Sequence, residues 1–281
     1  MPEHGRRRSV RRRRVHPLGV ILFAVVVLSL SLVFHPPARG QNVPAPGQPP
    51  PIQQAKVVAG PLDEPLAMLR EGQRTFATVK DYTCTLQSRE NVRGVLLDEN
   101  VMLLKMRTQP YSVYMRWLSP KSSAGQEVCF VAGKNNNKMR VRSTRLGTKV
   151  FGFQSIDTND PRVMDHSRHS IVEAGIGNLI DQTIKHWEME NKLGKTQVKL
   201  AEYKCNNRNA LRVETIRPER IQGFYSFRSV LYIDLETKLP LRSEAYDWPR
   251  QGGPADGELL EMFSYIDLRL NVGLTEQDFN K

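Results

Sequence analysis

The chain has 281 residues, 40% of them hydrophobic and 25% charged, with a formal net charge of +12. Residues 1–40 carry eight Arg against one Glu, a net +7 of that +12, which leaves +5 for residues 41–281. This remainder is spread along the chain rather than gathered in a basic run, so a nucleic-acid partner is not expected.

Arg6, Arg7, Arg8 and Arg11 to Arg14 precede an apolar run from Leu18 to Phe34. Arginines stay on the cytoplasmic side of a membrane, so this pattern predicts an export signal or a membrane anchor with the body on the periplasmic side. The run exceeds the roughly 7–15 residues of a signal core and sits at the short end of the roughly 17–25 that span a bilayer. Ala38-Arg39-Gly40 supplies small residues for cleavage before Gln41, and cleavage and an uncleaved anchor both stay open. Residues 1–40 are read as this leader and 41–61, rich in Pro, Gln, Ala and Gly, as a disordered tether. Residues 62–281 are left as one domain, mainly of strands.

Cys84, Cys129 and Cys205 sit in strand-like segments. They are expected to be buried thiols with at most one disulfide, Cys84 to Cys205 being the pairing considered, and no C-x-x-C pair suggests a metal.

Leu62 to Val79 has a helical period, with Leu66, Leu69, Phe76 and Val79 on one stripe and Asp63 and Glu64 in the first turn, where the helix dipole favours acids. After Lys80 the period becomes two: Tyr82, Cys84 and Leu86 alternate with polar residues up to a turn at Asn91 to Gly94. From Asp98 to Arg142 four strands are expected, cut by turn residues at Pro110, Pro120, Gly125 and Gly133, with a polar hairpin tip at Lys134 to Lys138. In the second of them Tyr111, Val113, Met115 and Trp117 share one face, which makes a sheet with an apolar side in need of cover. Leu146 to Phe153 reads as a further strand.

Asp157 to Ser170 is polar. Asp165 or His166 with His169 could offer two metal ligands, but the only other body histidine is His186, so neither a metal nor any other cofactor is expected. From Ile171 to Asn191 a helix returns, with Ile176, Leu179, Ile180, Ile184 and Trp187 on one stripe. Gly175 and Gly177 at its start and Gly194 after its end suggest a cover hinged at both sides. Its GIGNLI segment lacks the third glycine of a dinucleotide fingerprint and follows no convincing strand. The remainder is strands: Gln197–Cys205 and Ala210–Ile216 across Asn206-Asn207, Phe227–Asp234 and Leu239–Trp248 across Glu236 to Lys238, then Glu258–Leu270. Ten or eleven strands with two helices, and long stretches of strand without intervening helix, point to a curved antiparallel sheet in an α+β fold. No G-x-S-x-G elbow, H-E-x-x-H helix or phosphate loop is present, so an enzyme is not expected.

The segments Tyr82-Thr83-Cys84-Thr85, Pro110 to Pro120 (PYSVYMRWLSP), Gly125-Gln126-Glu127-Val128, Gly175-Ile176-Gly177 and Leu239-Pro240-Leu241-Arg242 resemble the planctomycete-type exported family known as domain of unknown function 1571, over roughly Leu66 to Phe279. That family is distantly similar to the lipoprotein carriers LolA and LolB and to LppX-type lipid carriers. The resemblance implies a LolA-like open half-barrel with helices over its mouth, which binds a lipid or lipoprotein acyl chains and meets the membrane, at least transiently, through its N-terminal segment. It implies Leu66, Leu69, Phe76, Tyr111, Val113, Met115, Trp117, Ile176, Leu179, Ile180, Ile184 and Trp187 as cavity residues. In LolA-type carriers an Arg directly before Pro, in a Lys-Arg-Pro run, latches the lid. Lys105-Met106-Arg107-Thr108-Gln109-Pro110 is the nearest equivalent, which makes Arg107 the first latch candidate and Arg116 the second. The competing reading is a membrane-anchored sensing module or envelope scaffold with the same fold and a filled interior.

Overall fold

The computed structural model describes residues 62–144 and 152–281. The arginine-rich leader, the Leu18–Phe34 run, the cleavage position, the tether and nearly all of the Leu146–Phe153 strand lie outside them. Helix α1 (Asp63–Phe76) leads into β1 (Asp81–Val92), β2 (Val95–Leu96), β3 (Asn100–Arg107), β4 (Ser112–Ser119), β5 (Glu127–Val131), β6 (Met139–Arg142) and β7 (Gln154–Ile156). A short helix α2 (Pro161–Met164) and a 3-10 turn at Ile171–Glu173 precede the long helix α3 (Ile176–Leu193). Then come β8 (Gln197–Cys205), β9 (Arg208–Ile216), β10 (Arg228–Asp234), β11 (Pro240–Tyr246), β12 (Leu259–Leu270) and α4 (Glu276–Phe279).

The strands make one antiparallel sheet in the order β7-β6-β5-β4-β3-β1-β12-β11-β10-β9-β8, with β2 paired to the end of β1. Each half is built from neighbours in sequence, and the first and last long strands, β1 and β12, meet in the middle. The outer strands β7 and β8 do not pair with each other, so the sheet stays an open half-barrel. The twelve strands among the described residues exceed the ten or eleven expected because β2 has two residues and β7 three. Alternation cannot declare itself over so short a span. For the same reason the four-residue helices α2 and α4 escaped a periodicity argument.

Helices α1 and α3 lie side by side on the concave face and run antiparallel. Asn191 donates to Asp63, Arg70 to Glu188 and Gln73 to Asp181, each at 2.7 Å. Their apolar stripes meet the inward residues of the sheet, and Leu66, Leu69, Tyr82, Leu104, Ile176, Ile180, Ile233 and Leu239 form one core. Helix α3 starts at Ile176 rather than Ile171 because Gly175, at φ +99°, breaks the helical path. That glycine does not loosen the helix start. A Cβ there would come within 2.7 Å of Met106 Cε and 2.8 Å of Tyr82 Oη, and one at Gly177 within 2.5 Å of Phe76 Cε1. These glycines permit close approach of helix to sheet and helix to helix, so the hinge expected at this end is instead a tight joint.

The convex face of β4 and β5 is covered too. The tail after β12 turns back, with the backbone N–H groups of Gly273 and Leu274 donating to the Asp81 carboxylate, and Phe279 packs with Tyr114, Cys129 and Val131. The three cysteines are free and buried. Cys84 belongs to the inner core and Cys129 and Cys205 to two other clusters, so the Cys84–Cys205 pairing is corrected: the sheet separates the thiols. Burial pushes them up to about 12 for Cys84 and about 11 for Cys129 and Cys205, so they stay protonated.

Candidate functional site: a cavity under helix α3

Core packing fills only part of the half-barrel. Beside it, between α3, the segment 162–174 and the concave face of the sheet, lies a cavity of about 1030 Å³. Inward residues on several strands form its floor, among them Leu86, Met102, Met115, Val128, Met139 and Phe263, while Leu179 and Trp187 of α3 form its roof. These positions follow from the two-residue period of each strand, which sends alternate side chains to the concave face.

Of the twelve residues expected to line a cavity, Met115, Trp117, Leu179 and Trp187 do so. The other eight pack in the core: Leu66, Leu69, Val113, Ile176, Ile180 and Ile184 are buried there, and Phe76 and Tyr111 are partly buried against it. Helix α1 fills the space over its end of the sheet, so the hollow lies beyond it, over the inward residues of β1, β3 to β7 and β10 to β12 and along α3 from Asn178 to Glu190. The polar floor residues Ser88, Glu90 and Ser243, and the rim residues His169, Tyr225 and Glu261, were not expected.

Neither proposed arginine holds α3. Arg107 donates to Ser112 Oγ at 3.0 Å, pairs with Glu276 at 2.7 Å and stacks over Phe279, which ties the C-terminal tail to the outside of β3. Arg116 is exposed on β4, on the face opposite Met115 and Trp117. The start of α3 is held by tyrosines. Tyr111 Oη lies 3.0 Å from the Ile171 carbonyl and 2.9 Å from that of Ala174, and Tyr82 Oη accepts from the Ile176 N–H at 3.0 Å. An arginine does hold the other end: Arg217 pairs with Glu190 of α3 at 2.5 Å, their side chains 5% and 2% exposed. It also donates to Ser226, Thr215 and Ser229, while its Nε is buried without a partner. A signal for it existed, since Arg217 stands directly before Pro218 at a strand end and Arg107 does not precede a proline.

The segment before α3 is held by a polar network at the cavity rim. Glu90, buried and without a charged partner in contact among the described residues, accepts from Ser167 Oγ at 3.2 Å and from the Arg168 N–H at 2.7 Å. Its carboxyl is raised, burial outweighing these bonds and the nearby His169. His169 lies 2.7 Å from Glu261 and 3.1 Å from Glu173. Burial opposes its charge, but the Glu261 contact prevails and pushes it up to about 9. Glu261 also accepts from Tyr225 Oη at 2.6 Å and is held low: burial works against its charge and the His169 bond outweighs it. Both His169 nitrogens are thus committed to carboxylates, and among the described residues no three His, Cys, Asp or Glu side chains gather as metal ligands.

The fold and site together define an open antiparallel half-barrel with two helices across its concave face and an apolar cavity under one of them. The chain belongs to the family described as protein of unknown function DUF1571, which matches residues 79–281. No curated protein matches it in sequence. Among solved structures it is similar to an uncharacterized conserved protein from Thermus thermophilus, at 13% identity and TM-score 0.44, over 78% of this chain and 94% of that one. It is similar also to the lipoprotein LppX of Mycobacterium tuberculosis, at 8% identity and TM-score 0.43, over 76% and 98% of the two chains. A LolA superfamily protein from Nitrosomonas europaea matches at 10% identity and TM-score 0.33, over 76% and 96%.

Proposed function

We propose that the chain is an exported, non-catalytic carrier that holds a lipid, or the acyl chains of a lipoprotein, in the cavity under α3. The observation that carries this reading is the cavity itself: about 1030 Å³, with an apolar floor and a helix for a roof. It stands at the top of the roughly 300–1,000 Å³ range of ligand pockets, and the inward side chains of β1, β3 to β6 and β12 give it an apolar floor of the kind such sites have. Burying an acyl chain contributes about 0.8 kcal/mol per CH₂ relative to water. A chain leaving a bilayer exchanges one apolar medium for another, so its transfer is decided by how readily α3 and the preceding segment part from the sheet. In this reading residues 1–40 direct the protein across the inner membrane, 41–61 tether it, and 62–281 act in the periplasm or at the periplasmic face of that membrane.

The test is saturable binding of an uncharged fluorescent acyl ester by the purified protein, abolished when Met115→Arg or Leu179→Arg places a charge in the cavity. Titration without saturation, or binding indifferent to both substitutions, refutes the reading. The packed half of the interior favours one alternative, a sensing module anchored by residues 18–34, for which retention of the intact chain in membrane fractions is the expected result.

A further inference from the structure

The cavity wall is unevenly provided with charge. Each arginine that reaches it is already engaged, Arg162 with Asp160 at 2.8 Å and Arg217 with Glu190 at 2.5 Å, and of the three histidines there, His166, His169 and His186, His169 is held by Glu261 and Glu173. Around the same wall stand five carboxylates, Glu90, Asp98, Glu173, Glu190 and Glu261. An entering carboxylate or phosphate would give up its water, find no unpaired arginine or lysine among the described residues of the wall and face an excess of negative charge.

Uncharged groups fare differently. The side chains of Ser88, Ser243, Gln126 and Gln182 reach the cavity and make no hydrogen bond to any described residue. Ser88 and Ser243 are not scattered. Both stand opposite Phe263 in the register, one on β1 and one on β11, so their hydroxyls lie in one row across the floor, two strand spacings or roughly 10 Å apart. Free hydroxyls and amides over apolar rows suit carbonyl and hydroxyl oxygens, to which they donate without any ionic partner.

We propose, resting on the carrier reading, that the cavity takes an acyl chain joined to an uncharged polar group, an ester or amide with neighbouring hydroxyls, and rejects the free fatty-acid anion. Ser88 and Ser243 are the donors that meet that group, and Gln126 and Gln182 approach it from the sides.

The experiment loads the purified protein with the uncharged fluorescent acyl ester. The probe is then displaced near neutral pH by a monoacylglycerol or by a fatty acid of equal chain length, each below its micellar concentration. The monoacylglycerol is expected to reach half-displacement at a concentration lower by at least about tenfold. A smaller ratio, or a fatty acid that displaces better, overturns this inference and leaves the carrier reading standing. Failure of the ester itself to load overturns the carrier reading and this inference with it. The Ser88→Ala/Ser243→Ala pair is expected to weaken the monoacylglycerol severalfold and leave the fatty acid unchanged, and an equal loss for both ligands removes the serines from the role assigned to them.

Discussion

Tyr111→Phe removes one oxygen and leaves the ring in place against Phe130, at a centroid distance of 6.1 Å. That oxygen lies 3.0 and 2.9 Å from the carbonyls of Ile171 and Ala174, on either side of the turn into α3. A buried hydrogen bond contributes about 0.5–1.5 kcal/mol, and an abandoned acceptor costs about 1–3 kcal/mol more. The Ala174 carbonyl keeps a second donor, Asn178 Nδ2 at 3.2 Å, so the loss falls at the low end, about 1–2 kcal/mol. Local opening of the start of α3 should therefore become about five to thirty times more frequent. Hydrogen exchange of the amides between residues 171 and 180 reads this directly, and global unfolding by urea shows whether the effect stays local. Arg107→Ala serves as the comparison: it should release the tail around Glu276 and Phe279 and leave those amides protected. Unchanged protection in Tyr111→Phe, or deprotection of residues 171–180 in Arg107→Ala, would refute the view that Tyr111 ties down the start of α3.

Gly72→Ala should destabilise the fold although alanine favours a helix by about 1 kcal/mol. Its Cβ would sit 2.2 Å from the Lys238 carbonyl oxygen, so α1 must lift from the β10–β11 turn, and a thermal midpoint equal to or above wild type would contradict this. Glu190→Gln strands the buried Arg217 charge and should cost about 3–5 kcal/mol in urea unfolding, whereas Glu190→Leu with Arg217→Met should lie much nearer wild type; equal losses in the two would argue against an uncompensated charge as the cause. The rim network predicts a pH dependence. The folded-state pKa of His169, pushed to about 9, exceeds the usual 6.5, so its contribution is complete below about 6.5 and fades as pH rises through about 9. Arg168, Tyr225, Glu90, Glu173 and Glu261 stand around the same ring. Thermal stability should decline from pH 7 to pH 9.5 in wild type and more weakly in His169→Gln; parallel slopes would exclude His169.

Much of this was legible along the chain. Cys84 and Leu86 alternate with threonine and glutamine, and the strand they imply is β1. Asn206-Asn207, both at positive φ, turn the hairpin where a turn was expected. The four strands between Asp98 and Arg142 follow the turn residues Pro110, Pro120, Gly125 and Gly133 closely. The tie to the start of α3 was not legible in this way. Tyr111 was read as an apolar residue of a strand face, and it is its hydroxyl that bonds the Ile171 carbonyl, 60 residues distant in sequence. Arg107 and Arg217 both stand at strand ends, told apart along the chain by Pro218 alone, and the fold takes one to the tail and the other to Glu190.

Local order was therefore settled by the sequence alone: where strands and helices run, which side of each is apolar, and that the whole is an antiparallel sheet with helices laid on it. These depend on periods of 2 and 3.6 residues, which any short window contains. Whether a given apolar side chain meets another or an empty space is not contained in any window. Leu69 and Met115 are both apolar residues on inward faces, yet one is packed and the other lines the cavity. The difference lies in the volume that α1 and α3 bring over each end of a sheet assembled from strands nearly two hundred residues apart, and the tertiary structure alone performs that sum.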